Sequence, residues 1–168
     1  RQLRDKDEKL RSQLVKLLEA NHEFAPEDAK QVALWNPYDQ NSSSPFFDTE
    51  WMFGVKDGFD IVIGNPPYVQ LQKEGGRLAK MFEKAGYRTF ERTGDIYSLF
   101  YEKGVELLKS KGHLCFITSN KWMRAGYGES TRKFFAENTN PVLLIDFAGQ
   151  KIFDAATVDT NILLLGKE

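Results

Sequence analysis

Four adjacent residues, Asn65-Pro66-Pro67-Tyr68, carry groups that could activate an amine on a planar ring. Asn65 offers a side-chain carbonyl, and Pro66 offers a main-chain carbonyl in a segment whose two rings restrict its direction. Two acceptors aimed at the N–H bonds of an exocyclic amine, such as that of adenine, would draw its delocalised lone pair onto nitrogen. They would also position this nitrogen for in-line attack on a methyl group. The ring of Tyr68 could stack on the base once it has left the double helix.

The alternative interpretation is a plain turn, because Asn-Pro commonly begins one. At average usage of about 5% per residue type, however, a given tetrapeptide occurs in roughly one chain of this length in a thousand. The tetrapeptide also follows residues 59–63, a mostly β-branched run closed by Gly64. Proline cannot donate to the ladder, so the strand ends there, and ligands of open α/β sheets bind at the carboxyl ends of strands. We therefore favour the catalytic interpretation.

The most regular helix pattern follows Gly94. Asp95 is an N-cap candidate, and apolar residues then recur at helical spacing until Lys109, Lys111 and Gly112 end the pattern. The face that we expect to be buried consists of Ile96, Leu99, Phe100, Leu107 and Leu108.

Four further elements complete an α/β pattern. We predict a strand at 113–118, a helix at 129–137, and two more strands at 142–147 and 161–165. The polar stretch between the last two strands is too short for a crossover helix, so these two strands should be antiparallel. The fold class is therefore α/β, with half of an open sheet, an antiparallel strand pair at its C-terminal end and a helix at the N-terminus.

The first third of the chain is less regular. Residues 1–20 hold leucines at helical spacing among charges, which predicts a connector helix that needs a partner. Residues 35–58 are rich in Asn, Asp, Ser, Pro and Gly with aromatic residues between them, a pattern typical of an anchored loop. We divide the chain into a connector region at 1–34 and a catalytic region at 35–168.

Composition limits the classes of function. The 168 residues, 41% of them hydrophobic, suit one sizeable core, and no apolar run approaches the ~20 residues of a membrane helix. Cys115 is the single cysteine, which excludes an internal disulfide and fits a cytoplasmic origin. A net charge of −1 gives no bulk basic field, so nucleic acid would need a local patch or other parts of a longer protein. His22 and His113 lack metal-ligand spacing, and no metal site is expected.

A local basic patch follows the motif. Basic residues recur every three or four positions, at Lys73, Arg77, Lys80, Lys84, Arg88 and Arg92. If helical, these residues would form one basic stripe beside the end of the catalytic strand, suited to phosphate contacts in DNA, and we assign the DNA contacts to Lys73, Arg77, Lys80 and Lys84. A solvated surface is the usual role of such charges, and the glycines at 75, 76 and 86 argue against one continuous helix.

The segment from Asp60 to Tyr68 resembles the catalytic motif of amino-group methyltransferases that use S-adenosylmethionine. That motif alone also occurs in enzymes that methylate RNA guanine or a protein glutamine. Further segments narrow the resemblance: Trp35-Asn36-Pro37-Tyr38, Pro45-Phe46-Phe47-Asp48, Gly94 to Phe100, Ile117 to Trp122, Tyr127-Gly128, and Ile152 to Val158. Together they resemble the large bacterial restriction-modification enzymes that carry nuclease, methyltransferase and target recognition in one polypeptide, in the order of gamma-class adenine enzymes. The resemblance implies a partial class I, Rossmann-like methyltransferase sheet.

The resemblance also implies roles for individual residues. Asn65 to Tyr68 would form the catalytic loop, in which the first two residues accept from the target amine and Tyr68 stacks on the base. Phe153 would cover the opposite face of the base, with a core aromatic as the equally weighted alternative. Phe100, together with Pro67, would lie near the cofactor, although we favour a packing role for Phe100 on an amphipathic helix.

Parts of a complete enzyme of this kind are not found in the sequence. A glycine-rich turn after a first strand, and an acidic residue for the cofactor ribose, should precede Asn65, and neither does. The chain also begins with Arg1, so we expect a piece of a longer protein that by itself binds S-adenosylmethionine weakly or not at all. Residues 59–63 would then lack a neighbouring strand, and another copy of the chain, in a homo-oligomer, or the aromatic segment at 46–53 should cover them.

The function that the resemblance implies is methylation of the adenine amine in DNA after base flipping, in a bacterial restriction-modification enzyme. DNA would be the partner of the longer protein, and no membrane would be involved. Two alternatives stay open. The same motif could serve methylation of RNA or protein, or the chain could be a DNA-binding or scaffolding module without catalysis.

Overall fold

The computed structural model describes residues 2–20, 26–36, 41, 44, 47–150, 152–153 and 158–168. By its internal contacts the chain divides into two units, Arg1–Val55 and Lys56–Glu168. The boundary expected at residue 34 stays a prediction about domain organisation.

The described part of the first unit is helical. Its helices are α1 (Gln2–Ala20), α2 (Pro26–Leu34) and α3 (Thr49–Phe53). The helix predicted at 1–20 is confirmed by α1, and its role as a connector stays a prediction. Arg11 ties α1 to the end of α2 by donating to the carbonyl oxygens of Ala33, at 3.2 Å, and Trp35. A loop was expected throughout 35–58, and α3 corrects this over one short turn of helix. The rings of Phe47 and Phe53 pack 6.1 Å apart across that turn.

The second unit is a four-stranded sheet with helices. Its elements are β1 (Phe59–Gly64), α4 (Lys73–Phe82), α5 (Ile96–Glu106), β2 (Leu108–Ser119), α6 (Glu129–Asn138), β3 (Thr139–Asp146) and β4 (Thr160–Lys167). The strand order is β1-β2-β4-β3, in which β1 is parallel to β2 and β4 is antiparallel to both of its neighbours. The predicted α/β class and the antiparallel C-terminal pair are confirmed.

Strand β1 is an outermost strand of this sheet and pairs with β2 alone among the described strands. Ile61 and Ile63 on this strand are 67% and 79% exposed, whereas Val62 between them packs against the core. What covers this edge, a second copy or the aromatic segment, stays a prediction.

The predicted boundary between the helix and strand β2 is wrong by several residues. Leu107 and Leu108 were expected to continue the helix, but α5 ends at Glu106 and Leu108 already pairs with Phe59 of β1. Gly112 allows the close approach that follows, because a Cβ there would lie 2.9 Å from the carbonyl oxygens of Lys109 and Phe59. Pairing with β1 therefore draws this segment into the sheet earlier than its helical spacing suggests.

The buried face of α5 also differs from the prediction. Tyr97 and Tyr101 are fully buried, whereas Phe100 is 42% exposed, so the expected packing role of Phe100 is wrong. The two phenols are tolerated inside because each finds a partner: Tyr97 with the hydroxyl of Tyr127 at 3.2 Å, and Tyr101 with that of Thr118 at 2.8 Å.

A buried carboxylate holds the connection between α4 and α5. Glu102, 2% exposed, accepts from the backbone and side chain of Thr89, both at 2.8 Å, and from the backbone and guanidinium of Arg88 at 3.1 and 3.2 Å. Burial opposes ionisation of Glu102, but the hydrogen bonds from Thr89 and Arg88 together outweigh burial and hold its pKa below the ordinary value. Arg88 is further placed over the ring of Phe134, 4.6 Å from its centre.

Glu102→Gln should destabilise the protein by about 2–4 kcal/mol at pH 7. The amide nitrogen of the glutamine would face a backbone N–H or hydroxyl that also donates, and neither of these two donors would have an acceptor. A group with a lowered pKa stabilises the fold above its ordinary pKa and loses this contribution as the pH falls. The difference between variant and wild type should therefore shrink below pH 4.5, the ordinary value for Glu. Urea unfolding at several pH values measures it.

Glu106→Gln is the matched control, because Glu106 is exposed and pairs with Lys103 at 3.2 Å on the surface of the same helix. It should change the free energy of unfolding by less than about 0.5 kcal/mol at any pH. Equal effects of the two substitutions would contradict the anchoring role of Glu102.

Candidate active site

The topology brings three chain segments to one edge of the sheet, the one formed by the carboxyl ends of β1 and β2. Strands β1 and β2 are parallel and end there, at Gly64 and Ser119. Because β4 is antiparallel to both neighbours, it begins at this edge with Thr160, and β3 ends there at Asp146. The motif after β1, the turn after β2 and the connection between β3 and β4 therefore leave the sheet on the same side, where open α/β sheets bind ligands.

The motif after β1 presents its asparagine to solvent. Asn65 and Pro67 are exposed, Pro66 is buried and Tyr68 is half-buried. The hydroxyl of Tyr68 donates to Asn65 Oδ1 at 3.1 Å and lies 3.4 Å from the carbonyl oxygen of Ile117. Burial, and then the charge of Asp95, raise the pKa of Tyr68, so its phenol is a donor at neutral pH. The side-chain carbonyl of Asn65 is thus an accessible acceptor beside an aromatic ring.

Tyr97, a residue to which sequence reasoning gave no role, supports the ring of Tyr68. The two rings meet edge to face with centres 6.3 Å apart, and Tyr97 is fully buried. Burial, and then the hydrogen bond to Tyr127, raise the pKa of Tyr97. The signal was available, because residues 97, 101, 105 and 108 are apolar or aromatic at helical spacing.

A buried polar network supports the ends of β2 and β4. Asn161 is fully buried, and its Oδ1 accepts from Thr118 Oγ1 at 3.1 Å and from Trp122 Nε1 at 3.3 Å. The hydroxyl of Tyr101 joins through Thr118. This network links α5, β2 and β4 at the edge that carries the site, and sequence reasoning missed it because its members are far apart in the chain.

The carboxylate of Asp95 points toward the motif. Asp95 has the extended backbone of the predicted N-cap, but its Oδ1 accepts from the amide of Val69, at 2.9 Å, and not from the first turn of α5. Burial raises its pKa, and the nearby amides of Val69, Tyr97 and Ile96 and the charge of Lys73 oppose this rise.

The predicted basic residues lie on and after α4. Lys73, Arg77 and Lys80 belong to this helix and Lys84 follows it, and all four are exposed. The helix is interrupted at residues 74–76, whose φ angles are positive, so the expectation that the stripe is not one continuous helix is confirmed. The two further basic residues are engaged elsewhere, Arg88 with Glu102 and Arg92 with Glu83 at 3.6 Å.

Two predicted aromatic contacts remain predictions. Phe153 is half-buried in the connection between β3 and β4, at the edge that carries the motif. Phe100 is exposed on α5, one turn after Tyr97. His22 and parts of the resembling segments, namely Pro37, Tyr38, Pro45, Phe46 and residues 154–157, lie outside the described residues.

In the described part of the chain, no group of three or more His, Cys, Asp or Glu side chains is placed to hold a metal ion. Among the described helices, none combines the length and apolar character needed to cross a membrane.

Comparison with known families decides the assignment of the chain. The family model of the Eco57I restriction-modification methylase matches residues 1–153. This chain belongs to the Eco57I restriction-modification methylase family. The resemblance of the motif segments to restriction-modification methyltransferases is thereby confirmed.

The relatives of this chain include type II restriction-modification enzymes and type II methyltransferases. The chain is 32% identical over 112 residues to the type II restriction enzyme and methyltransferase RM.Eco57I of Escherichia coli. The aligned residues cover 66% of this chain and 11% of that protein. It is 35% identical over 88 residues to the type II methyltransferase M.BstVI of Geobacillus stearothermophilus, or 52% of this chain and 16% of the relative. For M.BanIII of Aneurinibacillus aneurinilyticus the identity is 36% over 103 residues, and the shares are 59% and 17%. The chain thus spans less than a fifth of the length of these relatives.

A solved structure supports the fold of this family member. A class I S-adenosylmethionine-dependent methyltransferase from Listeria monocytogenes matches 67% of this chain and 33% of its own, with a TM-score of 0.50 and 24% identity. The predicted partial class I, Rossmann-like sheet is therefore confirmed.

Proposed function

We propose that this chain is the catalytic half of an adenine-specific DNA methyltransferase, within a longer bacterial protein of a restriction-modification system. It would transfer a methyl group from S-adenosylmethionine to the exocyclic amine of adenine. One observation carries the proposal: the Asn65 side-chain carbonyl is exposed at the end of β1 and accepts a hydrogen bond from Tyr68.

The geometry of this pair suits a flipped base. A target amine would replace the Tyr68 hydroxyl as the donor to Asn65 Oδ1, while the ring of Tyr68 would move against the face of the base. The carbonyl of Pro66 would accept the second N–H. Both contacts favour localisation of the lone pair on the amine nitrogen, which makes it a better nucleophile.

The chain fits only part of the cofactor. The ring of Phe100 and Pro67 are both exposed, and each would offer apolar surface to the adenine of S-adenosylmethionine. Among the described residues, however, no strand precedes β1 that could end in a glycine-rich turn. When bound, the cofactor supplies the methyl group, and we propose that the remaining contacts to it come from elsewhere in the longer protein.

The exposed basic residues after the motif suit the DNA backbone. Lys73, Arg77, Lys80 and Lys84 follow the motif on and after α4, and phosphate contacts there would hold the duplex while the base turns into the site. The chain as a whole carries no excess of positive charge, so such contacts would depend on these four exposed residues. A DNA substrate would also place the protein in the bacterial cytoplasm.

The test compares the chain with the longer protein that carries it. With labelled S-adenosylmethionine and DNA, the longer protein should place the label on N6 of adenine, and the chain alone should place none. In calorimetry the chain alone should give no binding at micromolar cofactor, since the glycine-rich turn and the ribose carboxylate are lacking.

Each arm has an outcome that counts against the proposal. Label on RNA or on protein, in place of DNA, would favour the other substrates of the same motif. A longer protein that binds DNA but transfers no methyl group to any of the three would favour a scaffold. Micromolar binding of the cofactor by the chain alone would overturn the expectation that this chain is only part of the site.

A further inference from the structure

We infer that Asp95 is a positioning residue for methyl transfer, because its carboxylate holds the backbone immediately after the catalytic motif. The inference rests on the proposed function. It adds a residue that touches neither the base nor the cofactor and acts through the amide of Val69.

The hydrogen bonds around Asp95 form a short, strand-like clasp. Asp95 Oδ1 accepts from the amide of Val69 at 2.9 Å, and the amide of Ile96 donates to the carbonyl oxygen of Val69 at 2.9 Å. The amide of Leu71 donates to the carbonyl oxygen of Gly94 at 3.0 Å. Residues 69–71 are thus paired with residues 94–96 by two backbone bonds and one side-chain bond.

The side-chain bond lies nearest to the site. Val69 directly follows Tyr68, whose hydroxyl is bound to Asn65 Oδ1. Without the carboxylate, the Val69 amide would lose its acceptor, and the chain between Asn65 and the first backbone bond of the clasp would gain freedom. The directions of the Pro66 carbonyl and of the Tyr68 ring depend on that stretch.

Asp95 also couples two parts of the site. It is the last residue before α5, the helix that carries Tyr97 against Tyr68 and presents Phe100 to solvent. Asp95 is only 9% exposed, so its carboxylate is largely shielded from solvent. One side chain therefore sets the motif against the helix that we place near the cofactor.

The position of Leu71 separates a local effect from unfolding. Leu71 is 1% exposed and packs with Ala79 and Leu99 in a small core, and its amide is held by a backbone carbonyl. Loss of the Asp95 carboxylate should free the Val69 amide and leave that of Leu71 protected. Partial unfolding of the segment would expose both amides.

The test uses Asp95→Ala, with Asp95→Asn as the conservative variant that keeps an acceptor oxygen. In this chain, Asp95→Ala should raise amide exchange by about tenfold at Val69 and not at Leu71, as read by NMR. In the longer protein it should lower kcat for DNA methylation by about 10–100-fold, with KM for DNA and cofactor within about threefold. Asp95→Asn should restore both readouts to within about threefold of wild type.

Asp57→Ala is the matched control, because Asp57 is an exposed aspartate that precedes β1, whereas the motif follows this strand. It should leave both readouts unchanged. The inference is overturned if Asp95→Ala keeps wild-type kcat, if Leu71 exchanges as fast as Val69, or if Asp95→Asn is as impaired as Asp95→Ala. A wild-type longer protein that methylates no adenine would overturn the proposed function, and the inference with it.

Discussion

Asn65→Ala is expected to lower the kcat for adenine methylation by the longer protein by about 10²–10³-fold, the usual cost of removing one preorganised polar group from a transition state. The alanine keeps the backbone of the motif but removes the acceptor that we place on the amine. Asn65 is exposed, so the substitution creates no cavity and the fold should be unaffected. Single-turnover methylation of a DNA duplex measures the effect directly.

Asn140→Ala is the matched control, since Asn140 is also an exposed asparagine and lies near the start of β3, at the opposite edge of the sheet from the motif. It should leave kcat within about twofold of wild type. Affinities for DNA and cofactor should stay within about threefold for Asn65→Ala, because the lost contact strengthens only as the methyl group is transferred. Methylation by Asn65→Ala at a tenth of the wild-type rate or more would contradict the role given to this side chain.

Gly128→Ala is expected to destabilise the chain by about 3 kcal/mol or more, the upper range for forcing an atom into a packed interior. A Cβ at this position would lie 2.6 Å from the carbonyl carbon and 2.8 Å from the Cα of Trp122, both backbone atoms that cannot rotate away. The turn that holds Gly128 also carries Tyr127, the hydroxyl partner of Tyr97. Thermal unfolding should therefore show a loss of about 6 °C or more.

Gly126→Ala is a close control, because Gly126 lies two residues earlier in the same turn and a Cβ there meets no atom within 4 Å. Its effect on the free energy of unfolding should be within about 0.5 kcal/mol. Similar effects of the two substitutions would mean that the Trp122 backbone yields, and that close packing of this turn does not support the site.

The motif and the order of the elements could be predicted because their signals are local. Residues 59–63 are mostly apolar and are followed by a glycine and, after Asn65, by two prolines. Proline cannot donate to the ladder of a strand, so the strand should stop there, and β1 ends at Gly64 as expected. The short connection between the last two strands required antiparallel pairing, and β3 and β4 are antiparallel.

Helical spacing could have indicated that Tyr97 and Tyr101 share a buried face of α5, but their hydrogen-bond partners could not be predicted, because these contacts join distant residues. Both tyrosines are fully buried, because Tyr127 and Thr118 satisfy their hydroxyls. Phe100 then faces outward, opposite to the prediction, since a helix cannot bury every side. Asp95 was identified as a helix cap, and only the position of Val69 gave its carboxylate a different partner.

By itself, the sequence determined where the candidate chemistry lies. The two prolines restrict the backbone and end the strand, so the asparagine and the tyrosine that flank them must lie at a strand end, where open α/β sheets bind ligands. The tertiary structure decided what holds that loop in place. Its supports come from Asp95 and Tyr97 on the segment that begins α5, and from the carbonyl oxygen of Ile117 near the end of β2. Hydrogen bonds and ring contacts over such separations depend on which side chains the packed sheet and helices bring within reach, and spacing along the chain does not encode this.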